Sequence, residues 1–297
     1  MIQTRTVTLP HGISLQCRES GSRGRPVLMF LHGFPEGAFI WDELLLHFAR
    51  PENGGYHCVA PYLRGFGESS QPQATEAYRA KHLVQDLVAL ISAVCTTGTV
   101  ECLVAHDWGG AVAWNLANQQ PQWLKRLAVI NSPHPGAFLR ELQTNAAQQA
   151  ASQYMHFLCR PDAESLLAEN DFQRLFAFFN TPEGHAPAWL TEAVRAQYQQ
   201  VGAVLRGIIH QLLRHVARAF YRYSNVTLDF RSAQRLGQSL SLIQHILSIG
   251  QSRGFVAVFL QKFRSQSHVF SWVSNVNQSD FAACFVGNFY RMAQSFK

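Results

Sequence analysis

The sequence AHDWGG at residues 105–110 predicts a sharp turn between a strand and a helix. The apolar run Val100–His106 is typical of a strand buried on both faces, and Gly109–Gln119 has helical spacing. Small residues around Asp107 let the two elements pack closely, which is the pattern of a turn that presents a nucleophile at the end of a sheet. The alternative interpretation is a turn aspartate that caps the following helix.

An aspartate at the centre of this turn indicates a particular chemistry. A carboxylate that attacks a carbonyl forms an anhydride, whereas attack on a saturated carbon bearing an epoxide oxygen or a halide forms an alkyl ester that water can later cleave. A serine at this position would suit acyl transfer instead. Asp107 therefore predicts displacement at a saturated carbon.

The segments around this turn alternate between strand and helix patterns, which is typical of an α/β sheet. With 297 residues, 47% of them hydrophobic, the chain is long enough to bury one large core. Strands are predicted at Gln3–Leu9, Ile13–Glu19, Pro26–Leu31, Tyr56–Pro61, Val100–His106 and Leu124–Asn131, and helices at Trp41–Phe48, Tyr78–Cys95 and Gly109–Gln119.

Another motif, HGFPE at residues 32–36, directly follows the strand Pro26–Leu31. Here the backbone N–H of Phe34 can pair with that of Trp108 to hold an oxyanion, and His32 and Gly33 complete the binding turn. The indole N–H of Trp108 lies near enough to serve a halide or an oxyanion, although a core aromatic would have the same pattern. Alone the motif fits an ordinary turn, but together with the turn at Asp107 it indicates an active site.

From residue 135 to residue 201 the strand pattern stops and aromatic-rich helical sequence begins, including Phe172–Phe179. We interpret residues 1–134 as the N-terminal part of the core and residues 135–201 as an inserted helical cap. Residues 202–297, called the tail below, contain two amphipathic helix candidates, Val204–Tyr223 and Gln238–Ile249.

The balance of basic and acidic residues changes at the start of the tail. Residues 1–201 have 14 Lys and Arg against 17 Asp and Glu, whereas the tail has 11 against 2 and contains no Pro. Because the tail's arginines are interleaved with apolar residues rather than clustered, we expect no nucleic-acid partner. The joint change in charge and proline content favours a separate origin for the tail, such as a reading-frame shift, retained non-coding sequence or gene fusion.

Targeting and metal-binding patterns are absent from the sequence. The amino terminus has no apolar stretch of signal-peptide length, and no run reaches the roughly 18 apolar residues of a membrane span. The six cysteines lack CxxC or Cys/His ligand spacing. We therefore expect a soluble, cytoplasmic protein with reduced thiols, no metal and no cofactor.

Residues 26–180 resemble epoxide hydrolases of the α/β-hydrolase superfamily. Four motifs carry this resemblance: HGFPE at 32–36, RGFGES at 64–69, HDWGG at 106–110 and NSPHPGAF at 131–138. It implies an α/β-hydrolase fold, with a mostly parallel sheet and an inserted helical cap, that acts on a small-molecule epoxide without a cofactor.

The resemblance also assigns roles to residues. It makes Asp107 the nucleophile and Phe34 and Trp108 the oxyanion donors. The segment SQYMHF at residues 152–157 is similar to the family's lid segment, which makes Tyr154 the acid that protonates the opening oxygen. A packed cap aromatic is the alternative interpretation of this tyrosine.

The chain departs from the family in two places. Tyr62 stands where the family has an aspartate before its x-R-G motif, and we interpret it as a local loop substitution. The family's contexts for the triad acid and histidine are missing from the tail. Chain order alone makes Asp229 and His268 the candidates, so turnover is predicted to be impaired. Three other histidines lie on the amphipathic helix candidates and are interpreted as solvated or packed: His210, His215 and His245.

Three alternatives follow from the same residues. A haloalkane or haloacid dehalogenase of the same fold shares the Asp-Trp-Gly sequence and would take a halide substrate. A non-catalytic relative would keep the pocket and bind ligands without turnover. A misassembled product would not fold, because the motifs of the later core strands are missing.

Overall fold

The computed structural model of the protein describes residues 1–181 and 184–204. The predicted helices Val204–Tyr223 and Gln238–Ile249 lie outside the described residues, apart from the first residue of the former. Asp229 and His268 lie outside them as well.

A mixed, mostly parallel sheet forms the centre of the described part of the chain. Its strands follow the order β1-β2-β4-β3-β5-β6. The antiparallel pair β1–β2 lies at one edge and β2 also runs antiparallel to β4, whereas β4, β3, β5 and β6 run parallel. The strand bounds are β1 Gln3–Thr8, β2 Ser14–Ser20, β3 Val27–Leu31, β4 His57–Pro61, β5 Cys102–His106 and β6 Leu127–Ile130.

Helices cover the sheet and continue beyond it. Three of them, α1 Asp42–Phe48, α2 Ala80–Val94 and α3 Asp107–Gln119, connect the parallel strands. Five more follow β6, and they are α4 Pro135–Thr144, α5 Ala146–Ala151, α6 Tyr154–Leu158, α7 Ala163–Ala177 and α8 Glu192–Val204. Among the described helices, none is both long and apolar enough to cross a bilayer.

Burial of the central strands explains their apolar sequences. Every residue of β3, β4 and β5 is buried, because helices pack on both faces of a parallel sheet. On α2 the buried residues Leu83, Leu87 and Leu90 recur at helical spacing and face the core. The expected α/β-hydrolase fold with a mostly parallel sheet is therefore confirmed.

Strand register brings three chain segments to one edge of the sheet. Leu31 of β3 pairs with Ala105 of β5, and His106 pairs with Ile130 of β6. The residues that follow these strands therefore leave the sheet side by side. The HGFPE turn, Asp107 and the NSPHP segment consequently meet at the carboxyl ends of the strands, where α/β sheets bind ligands.

The predicted element bounds differ from the observed ones by one to three residues, most at the start of β6, which begins at Leu127 rather than Leu124. A short 3-10 turn precedes each of α1 and α2, at Ala38–Trp41 and Thr75–Tyr78. Helix α3 begins at Asp107 itself, two residues before the predicted start. Hydrophobic periodicity reports buried faces rather than hydrogen bonding, so it does not place the first turn.

Helix α7 contains a break that the helical sequence pattern did not indicate. Asn170, Asp171 and Phe172 all have left-handed backbones, with φ of 49°, 53° and 65°. Such a run is costly for residues with a Cβ, and an aromatic residue rarely adopts it. Phe172, placed by its sequence pattern at the start of a helical stretch, instead ends the break and is buried.

A buried ion pair connects the RGFGES loop to helix α2. Nε and Nη2 of Arg64 donate to the Asp86 carboxylate at 2.8 and 2.6 Å, and Nη1 donates to the Ala77 carbonyl at 2.7 Å. Nε2 of His11 lies 2.6 Å from the same carboxylate. Since both Arg64 and Asp86 are almost fully buried, this pair ties the loop to α2.

Candidate active site

Asp107 occupies a strained turn between β5 and α3. Its φ is 48°, whereas His106 before it is extended. Oδ1 of Asp107 accepts the backbone N–H of Phe34 at 3.0 Å, and the backbone N–H of Trp108 bonds the same carboxylate. A left-handed aspartate costs conformational free energy, and such strain concentrates at functional sites.

Opposing effects set the pKa of Asp107. Burial raises it above its usual range, and the negative charge of Glu36 adds to the rise. His106 and the two backbone N–H groups act in the opposite direction, because they stabilise the ionised form. The residue as a whole is half-buried.

Close packing around the turn explains its glycines. A Cβ on Gly33 would lie 2.4 Å from the Cβ of Asp107, and a Cβ on Gly110 would lie 2.4 Å from the Cβ of Ser132. Neither distance is possible for real carbon atoms. Glycine at these positions therefore lets the HGFPE turn, α3 and the segment after β6 approach one another.

The two N–H groups can assist hydrolysis of an ester on Asp107. If the second carboxylate oxygen were alkylated, Oδ1 would become the ester carbonyl oxygen. The negative charge that develops when water attacks this ester would fall on Oδ1, beside the Phe34 N–H, which is already in place, and near that of Trp108. The arrangement thus suits displacement at carbon followed by ester hydrolysis.

His32 holds the turn through the backbone. Its Nδ1 lies 2.9 Å from the Gly33 carbonyl, and its Nε2 accepts the Leu63 N–H at 3.1 Å. Burial lowers the pKa of His32 to about 4, so the ring is neutral near pH 7 and Nδ1 is the donor. Because both ring nitrogens bond the backbone and the residue is fully buried, His32 acts on the site by positioning the turn.

The buried carboxylate of Glu36, which acts electrostatically on Asp107, was not assigned a role from the sequence. Oε2 of Glu36 lies 2.9 Å from Nδ1 of His106, and Oε1 accepts the Tyr198 hydroxyl at 3.4 Å. Both Glu36 and His106 belong to motifs identified in the sequence. The presence of a carboxylic acid inside an otherwise buried motif could have indicated a role for Glu36. No comparable sequence signal marked Tyr198, because it lies 162 positions from Glu36 along the chain.

Trp108 places its indole ring against the core beside the nucleophile. The residue is 6% exposed, and its Nε1 has no hydrogen-bond partner within the described part of the chain. Buried N–H groups are normally paired. An unpaired donor on the residue that follows Asp107 is therefore a candidate for binding a substrate atom.

Tyr154, in helix α6, is a partly exposed residue whose hydroxyl is influenced by the charge of Asp107. The residue is 41% exposed, and its ring packs edge-on against Phe178 with centroids 6.3 Å apart. Burial raises the pKa of its hydroxyl well above the usual value, and the charge of Asp107 adds to this rise. The hydroxyl end thus lies within electrostatic range of Asp107 and stays protonated at neutral pH.

Tyr62, expected from the sequence to be a local loop substitution, makes contacts with three separate segments of the chain. Its buried ring packs so closely on Gly37 that a Cβ there would lie 2.7 Å from it. Its hydroxyl lies beside the ion pair of Arg18 and Asp42, and burial raises its pKa. Tyr62 therefore links the HGFPE turn to β2 and α1.

Comparison with known proteins agrees with this geometry. A family model for the alpha/beta hydrolase fold matches residues 26–158. A crystal structure of Bacillus megaterium epoxide hydrolase in complex with an inhibitor is 27% identical, with a TM-score of 0.65, and the match covers 76% of this chain and 78% of that one. The described part of this chain has the α/β-hydrolase fold and is similar to epoxide hydrolases.

Curated relatives of this α/β-hydrolase carry the same description. Epoxide hydrolase 4 of Mus musculus is 34% identical over 208 residues, which cover 67% of this chain and 56% of that protein. Epoxide hydrolase 3 of Xenopus tropicalis is 37% identical over 166 residues, or 55% and 43% of the two chains. The chain thus spans about half the length of the curated relatives it matches.

No metal-binding cluster of three or more His, Cys, Asp or Glu residues occurs among the described residues. Burial raises the pKa of the Cys17, Cys95 and Cys102 thiols to about 12, so these side chains are protonated core residues. The polar groups that the structure gathers near Asp107 include those of Phe34, Glu36, His106 and Trp108.

Proposed function

We propose that this chain opens epoxides to diols through an alkyl ester on Asp107. The observation that carries the proposal is the strained turn at Asp107, with Oδ1 held 3.0 Å from the Phe34 N–H. An aspartate held in this way offers its second oxygen as the nucleophile. Relatives named epoxide hydrolases support an epoxide as the substrate.

In the first step, Oδ2 of Asp107 attacks an epoxide carbon and forms a C–O bond. The bond between that carbon and the epoxide oxygen breaks, and its electron pair passes to the oxygen. Tyr154 then gives its proton to the alkoxide, which is a much stronger base than a phenolate. Burial of the hydroxyl supports this role, because it keeps the proton on Tyr154 until the alkoxide forms.

In the second step, water attacks the ester carbonyl carbon. Charge develops on Oδ1, which the N–H groups of Phe34 and Trp108 stabilise. Collapse of the intermediate breaks the ester C–O bond, and the base returns the proton that it took from water to the leaving oxygen, which releases the diol. The carboxylic acid left on Asp107 then gives its proton to the Tyr154 phenolate, which restores both residues.

This second step needs a base to take the proton from water. His268 is the candidate by chain order, with Asp229 as its acid partner, and both lie outside the described residues.

The two steps can be separated by experiment. The full chain is incubated with styrene oxide, the intact mass is measured, any adduct is located by peptide mapping, and the diol is quantified. We expect an adduct on Asp107 that Asp107→Asn abolishes and Asp162→Asn, at an exposed aspartate, leaves unchanged. Neither adduct nor diol from a folded protein would refute the proposal and leave ligand binding without turnover as the function.

The fate of the adduct reports on the missing base. General-base assistance is worth about 10²–10⁴-fold, so without it the ester should accumulate rather than turn over. Sustained diol production that His268→Ala abolishes would instead assign the base to His268. Circular dichroism with a cooperative melt distinguishes a folded, inactive protein from a misassembled one.

Tyr154→Phe tests the acid in the first step. We expect adduct formation to slow by roughly 10²–10⁴-fold, as is typical when general acid catalysis is lost. An unchanged rate in a folded variant would show that Tyr154 is only a packed aromatic residue.

A second candidate function is dehalogenation, favoured by the unpaired indole N–H of Trp108. That donor could stabilise a departing halide, while Asp107 forms the same kind of ester. Halide release from a bromoalkane, measured against diol formation from the epoxide, separates the two functions. Faster halide release would make the chain a dehalogenase.

A further inference from the structure

Helix α8 packs directly on the HGFPE turn. The Tyr198 hydroxyl donates to Glu36 Oε1 at 3.4 Å, and the Tyr198 ring meets Phe39 edge-on with centroids 5.0 Å apart. Val201, one helical turn later, approaches Gly37 so closely that a Cβ on Gly37 would lie 3.1 Å from it. Tyr198 is completely buried and Glu36 is 2% exposed, so water does not substitute for this contact.

The same short segment contacts the nucleophile on its other side. Phe34 donates its N–H to Asp107, and Glu36 Oε2 lies 2.9 Å from Nδ1 of His106, the residue before Asp107. Residues 34–39 therefore lie between α8 and the turn at Asp107. A shift of α8 is transmitted to the oxyanion donor by two or three residues of buried backbone.

We propose that Tyr198 is a positioning residue, whose hydroxyl holds the Glu36 carboxylate and thereby places the Phe34 N–H and His106 against Asp107. The inference goes beyond the proposed function, because it makes the docking of α8 a requirement for the geometry of the site. It rests on contacts that exist whatever the substrate is.

Physical chemistry gives the reason for such a contact. A buried carboxylate is held by its hydrogen-bond donors, and removal of one of them weakens the hold on it at a place that water does not reach. Glu36 would then move towards other donors and draw the turn with it. A displacement of about 1 Å at a reacting group can cost on the order of 10²-fold in rate.

Tyr198→Phe is the variant that tests the hydroxyl, since it keeps the ring and its packing on Phe39. Tyr78→Phe is a matched control, because Tyr78 is fully buried and its hydroxyl has no hydrogen-bond partner among the described residues. In the full chain, amide hydrogen exchange is followed in peptides that contain Phe34 and Trp108. We expect exchange at least tenfold faster in Tyr198→Phe and unchanged in Tyr78→Phe.

A double-mutant cycle measures the contact itself. The unfolding equilibrium constants of Tyr198→Phe, Glu36→Gln and the double variant are compared with that of the unaltered chain. We expect non-additivity of about tenfold, the low end for a hydrogen bond to a charged group. Additive effects, or faster exchange confined to α8, would overturn the proposal.

Ester formation on Asp107 provides a functional measurement. Tyr198→Phe should slow it by roughly 10–100-fold at saturating epoxide, whereas Tyr78→Phe should not. If no variant forms the ester, the proposed function fails, yet hydrogen exchange and the cycle still decide the role of Tyr198. A normal ester-forming rate in Tyr198→Phe would refute the positioning role.

Discussion

Gly33→Ala should damage the site by direct steric conflict. The added Cβ would lie 2.4 Å from the Cβ of Asp107 and 2.6 Å from its Oδ1. Carbon atoms in contact prefer separations of about 3.5–4.0 Å, so the two segments must move apart by about 1 Å or more. That movement would stretch the 3.0 Å bond from the Phe34 N–H to about 4 Å, which is outside hydrogen-bond range.

Two magnitudes follow from this displacement. Forcing an extra carbon into a packed core costs about 1–3 kcal/mol of the free energy of unfolding. Loss of one oxyanion donor lowers the rate of a reaction that needs it by about 10²–10³-fold. Urea unfolding measures the loss of stability. The loss of rate is measured from hydrolysis of the Asp107 ester or, if the ester accumulates, from its formation.

Gly136→Ala is the matched control. Its added Cβ would meet only the His134 ring at 3.5 Å, which is ordinary contact, and Gly136 lies in the first turn of α4. We expect it to be neutral or to stabilise the protein by up to about 1 kcal/mol. The reasoning is refuted if Gly33→Ala matches the unaltered protein in both stability and Asp107 chemistry.

Three further outcomes are expected. Asp86→Asn should cost about 3–5 kcal/mol of unfolding free energy by leaving Arg64 charged, buried and unpaired, and Arg64→Met with Asp86→Leu should recover most of it in urea unfolding. A loss below about 1 kcal/mol in the single variant would contradict this. Because burial lowers the pKa of His32 from 6.5 to about 4, its unfolded form binds the proton more tightly. The free energy of unfolding should therefore not depend on His32 titration above pH 6.5, and it should fall by up to about 3 kcal/mol as the pH decreases from 6.5 towards 4. The substitution His32→Gln should reduce this pH dependence of stability. Unfolding curves at several pH values would disprove the idea if both proteins lost stability equally. Asp107→Asn should raise the melting temperature at neutral pH, since burial penalises the charged form and asparagine tolerates a left-handed backbone. A lower melting temperature would show that the carboxylate stabilises the fold.

Local patterns in the sequence were sufficient to predict the sheet and the turn at Asp107. The apolar runs of β3, β4 and β5 are buried on both faces, and such burial leaves an unmistakable composition. Glycines around Asp107 mark close approach of backbone, which is also a local requirement. The fold and the position of Asp107 could therefore be predicted without coordinates.

Contacts between distant segments required the tertiary structure. The pairs Glu36–His106 and Glu36–Tyr198 join residues 70 and 162 positions apart, and no periodicity records such partners. The left-handed break at Asn170 is equally hidden, because apolar spacing reports burial and not the sign of φ. Sequence alone determined which residues are apolar, small or charged. Only packing of the chain decided which of them meet, because the partner of a buried polar group is chosen by the three-dimensional neighbourhood that desolvates it.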